Sequence, residues 1–91
     1  MEITKVEVRP LKDQGNLKAF CSVIFDDCFV VHGVRVIQGK QGLFVAMPCR
    51  QVGPDKFLDI AHPIRDDFRR KIEQAVLERY LSYMNDQEQI K

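Results

Sequence analysis

Apolar and polar positions alternate through the first half of the chain, and the alternation breaks where glycine, proline and aspartate gather. Val6 and Val8 stand between Lys5, Glu7 and Arg9, the pattern of a half-buried strand within Met1–Leu11. Pro10 lacks an amide proton, so this strand ends there or lies at a sheet edge. Asp13-Gln14-Gly15-Asn16 is turn material, with Gly15 and Asn16 suited to positive φ. From Leu17 to Asp26 the alternation resumes. Leu17, Ala19, Cys21, Val23 and Phe25 fall on one side, and Lys18, Ser22 and Asp26 on the other, with Phe20 and Ile24 as apolar exceptions. The two strands read as a hairpin. After a tight turn at Asp26-Asp27, Phe29–Ile37 is apolar on both faces except for His32 and Arg35, as in a strand that is central or covered on both sides. Gln38–Gly42 makes the next turn, Leu43–Met47 a fourth strand, and Pro48 stops it.

Beyond Pro48 the pattern changes. Cys49–Lys56 reads as an irregular basic loop, and Phe57–Ala61 as a fifth, short strand. His62-Pro63 then introduces a helix over about Arg65–Met84. Proline is tolerated there because first-turn amides need no internal acceptor. Asp66 and Asp67 suit the positive end of the helix dipole. Phe68, Ile72, Ala75, Val76, Tyr80 and Tyr83 share one helical face, while Leu77, Leu81 and Met84 fall on another side. A helix apolar on two sides is contacted twice, once by its own sheet and once by a partner subunit. The fold class that follows is α+β: a small antiparallel meander of four to five strands, then one C-terminal α-helix. Residues 1–84 read as a single domain and Asn85–Lys91 as a polar tail that frays.

Composition narrows the function classes. At 91 residues, one small domain is expected. Such a domain buries only about 60–65% of its unfolded surface, which favours self-association. The net charge is +1, so any nucleic-acid reading must rest on where charges sit and not on their sum. No apolar run approaches the length of a membrane span, and the first residues lack a signal-peptide pattern. Three unpatterned cysteines, Cys21, Cys28 and Cys49, fit reduced thiols in a cytoplasmic protein better than a disulfide framework.

Five stretches carry a family resemblance. FVVHGVRVI at 29–37, GLFVAMP at 42–48 and DIAHPI at 59–64, in this order and spacing, closely resemble the stage V sporulation protein G family, SpoVG. The opening MEITKVEVRPLK and the helical RRKIEQAVLERY are similar to that family too, so the resemblance covers about residues 1–84. It implies a small antiparallel sheet with a C-terminal helix, assembled as a homodimer by joining sheets. It also implies sequence-selective binding to DNA, and to RNA in some members, in gene regulation. Sporulation itself is not implied. The chain departs from the family pattern after AMP, where Cys49-Arg50-Gln51-Val52 keeps one base of a usual basic pair. Gly53-Pro54-Asp55-Lys56 rearranges a usual Pro-Asp-Gly turn, and Arg65, Asp66 and Asp67 replace small polar residues after HPI.

The candidate chemistry lies in this less family-like region. Arg50, Lys56, Arg65, Arg69, Arg70 and Lys71 form the main basic set, with Gln51 beside Arg50. Arginine grips phosphate or a guanine edge with two hydrogen bonds, and glutamine pairs likewise with adenine. The competing reading is a solvated face whose bases pair with Asp66, Asp67 and Glu73. His62 reads as a hydrogen-bonded corner residue and His32 as a buried, hydrogen-bonded one. No nucleophile, base and pocket come together around either, so no catalytic residue is assigned and the chain is not read as an enzyme. Cys21, Cys28 and His32 match no compact zinc spacing, and Gly39 and Gly42 match no phosphate loop. No metal, cofactor or small-molecule substrate is expected. Val30, Val34, Val36, Leu43, Phe44 and Val45 belong to the monomer core, to a dimer edge, or to both. The leading reading is a cytoplasmic homodimer that regulates gene expression by binding DNA or RNA. The alternative is a protein–protein adaptor working through the helix and a sheet edge.

Overall fold

The computed structural model describes residues 1–89. Four strands form one antiparallel sheet in the order β1-β2-β3-β4: β1 Ile3–Pro10, β2 Leu17–Phe25, β3 Phe29–Gly39 and β4 Gly42–Ala46. This is the expected meander. β1 is an edge strand and Pro10 is its last residue, so the missing amide costs the ladder nothing. Two further strands, β5 Cys49–Gly53 and β6 Lys56–Asp59, pair only with each other. The helix α1 runs Asp66–Gln89. The class is α+β, as the patterning indicates.

The alternation in β2 does what its spacing predicts. Ala19, Cys21, Val23 and Phe25 are buried, and the cross-strand register puts Val6, Val34 and Val36 beside them. Val45 and Met47 complete the sheet's share of the core. From the helix, Ile72, Val76 and Tyr80 cover this face, with Phe68, Ala75 and Leu77 packed around them. The Phe25 and Phe68 rings meet at 5.9 Å and 37°. The helix touches all four strands of the meander. Apolar stripe and apolar sheet face thus bury each other, which is why one helix suffices to fold this half.

Four details differ from the sequence reading. First, Cys49–Lys56 is no irregular loop: it is the larger part of a β-hairpin whose pairs are Cys49↔Asp59, Arg50↔Leu58 and Gln51↔Phe57. The short strand expected at Phe57–Ala61 is β6 of this hairpin and lies outside the main sheet. Second, β3 bulges. Cys21 pairs with Val34 but Val23 pairs with Val31, so His32 and Gly33 face Ser22 alone. Gly33 takes φ +84, and a Cβ there would come within 3.4 Å of the Pro48 side chain, so glycine serves both the bend and the close approach. Because of this bulge His32 is exposed rather than buried, with its Nδ1 2.7 Å from Ser22 Oγ. Third, the left-handed residues of the first turn are Asp13 and Gly15, with no such φ at Asn16. Asp26 and Asp27 are both left-handed, as a tight twisted hairpin turn requires. Fourth, the helix continues past Met84 to Gln89, so residues 85–89 of the expected frayed tail are helical; the last two lie outside the described residues.

Candidate nucleic-acid interface

The basic residues singled out by the sequence divide between two carriers. Arg50, Gln51 and Lys56 ride on the β5–β6 hairpin. Arg65 immediately precedes α1, and Arg69, Arg70 and Lys71 stand in its first turns. The corner between carriers is Ile60–Ile64, anchored where the Ile60 amide donates to the Pro48 carbonyl at 2.7 Å. His62 is exposed at this corner, and its Nδ1 lies 3.1 Å from the Pro63 carbonyl oxygen. A carbonyl only accepts, so Nδ1 carries the proton in that contact.

On the hairpin, neighbours in sequence point apart. Arg50 shares a face with Leu58, while Gln51 shares the other with Phe57. Arg50 is exposed near the base of the hairpin and Lys56 is exposed at its turn. Gln51 is also exposed, but its amide nitrogen donates to the carbonyls of Gly53 and Pro54 at 3.0 and 3.2 Å. It therefore staples the turn, and reading an adenine edge would mean giving up those two bonds. The hairpin base is held from the sheet by Arg35, whose Nη2 donates to the Met47 carbonyl at 3.0 Å and to Cys49 Sγ at 3.2 Å. Nothing in the sequence pattern marked Arg35 for this task; an arginine in an otherwise apolar strand was the available signal.

On the helix, Arg65 is the one member that the competing reading claims. Its Nε and Nη2 donate to the two Asp67 oxygens at 3.1 and 2.7 Å. Desolvation raises the Asp67 carboxyl, but the Phe68 amide and the Arg65 guanidinium together outweigh it and hold the group below its ordinary value. The pair is largely exposed, so its contribution to stability is small. Among the described residues the other ion pair is Lys5–Glu7, so Arg50, Lys56, Arg69, Arg70 and Lys71 form no ion pair within 4.0 Å, although Asp66, Asp67 and Glu73 stand one helical turn from Arg70, Lys71 and Arg69. Arg69 is half-buried and Arg70 exposed, as a step of about 100° on the helix requires. The wider cleft of about 730 Å³ between the sheet, the corner and α1 has Phe25, Phe29, Met47 and Phe68 on its walls, with Arg65 and Lys71 also lining it.

Large apolar side chains stand in water around the hairpin and corner: Phe57 at 62%, Leu58 at 57%, Ile60 at 67% and Ile64 at 92% exposure. On the helix, Leu81 and Met84 are exposed, while Leu77 of the same expected stripe is partly buried against the core. Cys21, Cys28 and His32 do not converge, and among the described residues no group of three His, Cys, Asp or Glu gathers. No described helix is long and apolar enough to cross a membrane.

Comparison with known proteins agrees with the motifs. The SpoVG family model matches residues 1–82. A relative from Caldanaerobacter subterraneus subsp. tengcongensis, named "Putative septation protein SpoVG", is 54% identical over 80 residues, covering 88% of each chain. Relatives of the same name from Clostridioides difficile and Treponema denticola are 51% and 50% identical, each over 88% of this chain and 87% and 86% of their own. With the family model matching residues 1–82 and relatives of that name about half identical over most of both chains, the chain belongs to the SpoVG family.

Proposed function

We propose that this chain is a cytoplasmic, dimeric regulator of gene expression that binds nucleic acid through the β5–β6 hairpin and the start of α1. The observation that carries the reading is the set of five cations, Arg50, Lys56, Arg69, Arg70 and Lys71, none of which closes an ion pair within 4.0 Å among the described residues. Unpaired arginines on a protruding hairpin and on an adjoining helix suit phosphate contacts, with one or two base edges read by a guanidinium fork. A two-fold dimer would present this surface twice and match paired half-sites. Support for the dimer comes from the exposed apolar residues of the hairpin and corner, because a lone two-stranded hairpin is marginal in water. The septation named for the relatives is, for this chain, part of the same proposal: its regulated targets bear on septation.

The test is fluorescence anisotropy of labelled DNA duplexes across salt concentrations. The Arg50→Ala, Arg69→Ala, Arg70→Ala triple variant is expected to weaken binding and to flatten the dependence of log K on log salt by about 0.9 for each phosphate that the variant leaves unneutralised. An unchanged slope in the folded triple variant sinks the surface assignment. A second reading, a protein–protein adaptor, draws on the exposed Leu81 and Met84 stripe of α1. A stoichiometric protein partner that survives nuclease treatment and is lost on Leu81→Lys would favour it.

A further inference from the structure

The face of the four-stranded sheet turned away from α1 carries no element of this chain over most of its width. The register puts its side chains in rows. Arg9, Phe20, Arg35 and Ala46 stand side by side across all four strands. Ile37 and Phe44 form a neighbouring row. Phe20 and Phe44 remain 39% and 47% exposed, although each sits in a strand whose other face is core. The Phe44 ring lies against Gly39: a Cβ there would stand 3.0 Å from its Cε1, and the ring would have to shift by a few tenths of an ångström to admit it. Sheet spacing separates the two ring positions by about 12 Å, with Arg35 directly opposite Phe20 and diagonal to Phe44.

Charge distinguishes this face from the other exposed apolar region. Lys5, Arg9, Lys18 and Arg35 share it with one acid, Glu7, which lies 4.0 Å from Lys5. Arg9 is exposed, Lys18 is half-exposed, and Arg35 is half-buried with one of its nitrogens holding the hairpin base. A second copy laid face to face would bring these cations together and leave them desolvated, which is costly. The hairpin and corner, with Phe57, Leu58, Ile60 and Ile64, suit self-association better.

We propose that the outer face of the β1–β4 sheet is a stacking platform for single-stranded nucleic acid. Unpaired bases stack on Phe20 and Phe44, and Arg9, Lys18 and Arg35 contact the phosphates between them. Aromatic rings on an open sheet, flanked by cationic side chains, are the chemistry by which proteins hold splayed bases without needing their sequence. This deepens the nucleic-acid reading above and rests on it, yet it uses none of the residues assigned there. One protein would then hold a duplex or structured segment on the hairpin and helix, and an unpaired segment on the sheet.

The experiment compares a labelled single-stranded RNA of mixed sequence with a labelled DNA duplex of the same sequence, for the full chain and for Phe20→Leu, Phe44→Leu. Leucine keeps the face apolar and removes the rings. The expected result is a loss of single-strand affinity of about tenfold per ring, with duplex affinity and sedimentation unchanged. Equal single-strand affinity in the variant overturns the platform, as does a fall in sedimentation coefficient without loss of affinity, which would mark the face as a self-contact. Duplex binding with no single-strand binding by the full chain overturns the platform and leaves the hairpin assignment standing. Binding to neither removes both. Because the chain has no tryptophan, Phe44→Trp supplies a single reporter. Its fluorescence is expected to quench as single strand is added; unquenched emission at saturation also overturns the platform.

Discussion

The β1–β4 sheet and the β5–β6 hairpin are both antiparallel and lie next to each other in the chain, but burial treats them differently. In the sheet, Ala19, Val23 and Val36 are 0% exposed beneath α1. In the hairpin every residue of β6 is exposed, and β5 has only Cys49 and Gly53 half-covered. The sheet closes its apolar face with an element of the same chain. The hairpin makes its backbone ladder and leaves Val52, Phe57 and Leu58 to water. A two-stranded ladder without a covered face is marginal, so within the monomer the second region is held less firmly than the first. The stable half is a platform, and the exposed half carries the residues assigned to recognition.

The largest effect expected from this contrast is in the sheet. Val23 is fully buried beneath the helix, and Val23→Ala leaves a hole that the surrounding strands cannot close. The loss is about 2 kcal/mol, which is a large share of the roughly 5–15 kcal/mol typical of a small domain. Urea unfolding should show a lower midpoint with an unchanged slope. A midpoint within error of the parent would mean that the sheet is less tightly packed than its burial indicates.

A hairpin substitution of harsher chemistry should do less to the fold and more to assembly. Leu58→Asp puts a charge on a side chain that is 57% exposed in the monomer. The expected stability change of the monomer is within about 0.5 kcal/mol. For the proposed dimer, sedimentation should shift from dimer to monomer, and the amides of β5 and β6 should then exchange far faster than those of β2 and β3. A variant that remains dimeric would remove the hairpin from the self-contact and dissolve the contrast between the regions.

The same contrast explains what the sequence made legible. Ala19–Phe25 was readable because one buried face imposes a period of two on its side chains; the strand ends at Phe25 and not at the expected Asp26, and a register shift between Leu17 and Ala19 leaves Leu17 out of the core. The α1 stripe of Phe68, Ile72, Val76 and Tyr80 was readable for the same reason at the helical period. Cys49-Arg50-Gln51-Val52 shows no such period, since neither of its faces is covered within the chain. Its strand character comes from backbone pairing across the Gly53–Lys56 turn, which leaves little mark on side-chain choice. His32 misled because Gly33 shifts the register at a bulge, and a bulge moves a side chain without altering the apolar pattern around it. The cations of the candidate surface were visible as residues, but their division between hairpin and helix, and the capture of Arg65 by Asp67, are three-dimensional facts.

The smallest effect uses the three free thiols as probes of the two regions. Cys21 lies under the helix at 2% exposure, and burial pushes its thiol up to about 11. At neutral pH its thiolate is about one part in ten thousand, and the reagent cannot reach it without opening the sheet. Cys28 is exposed at the β2–β3 turn, and Cys49 is half-exposed at the hairpin base with the Arg35 guanidinium against its sulfur. Alkylation followed by mass spectrometry should therefore label Cys28 first and Cys49 next, with Cys21 modified only at the rate of global unfolding. Neither early modification should change the unfolding midpoint by a measurable amount, because neither sulfur belongs to the core. Val23→Ala should accelerate Cys21 in proportion to its loss of stability, while Leu58→Asp should accelerate Cys49 and leave Cys21 alone. Labelling of Cys21 as fast as Cys28 in the unaltered protein would mean that the sheet opens locally. The body and the hairpin would then differ in exposure but not in stability.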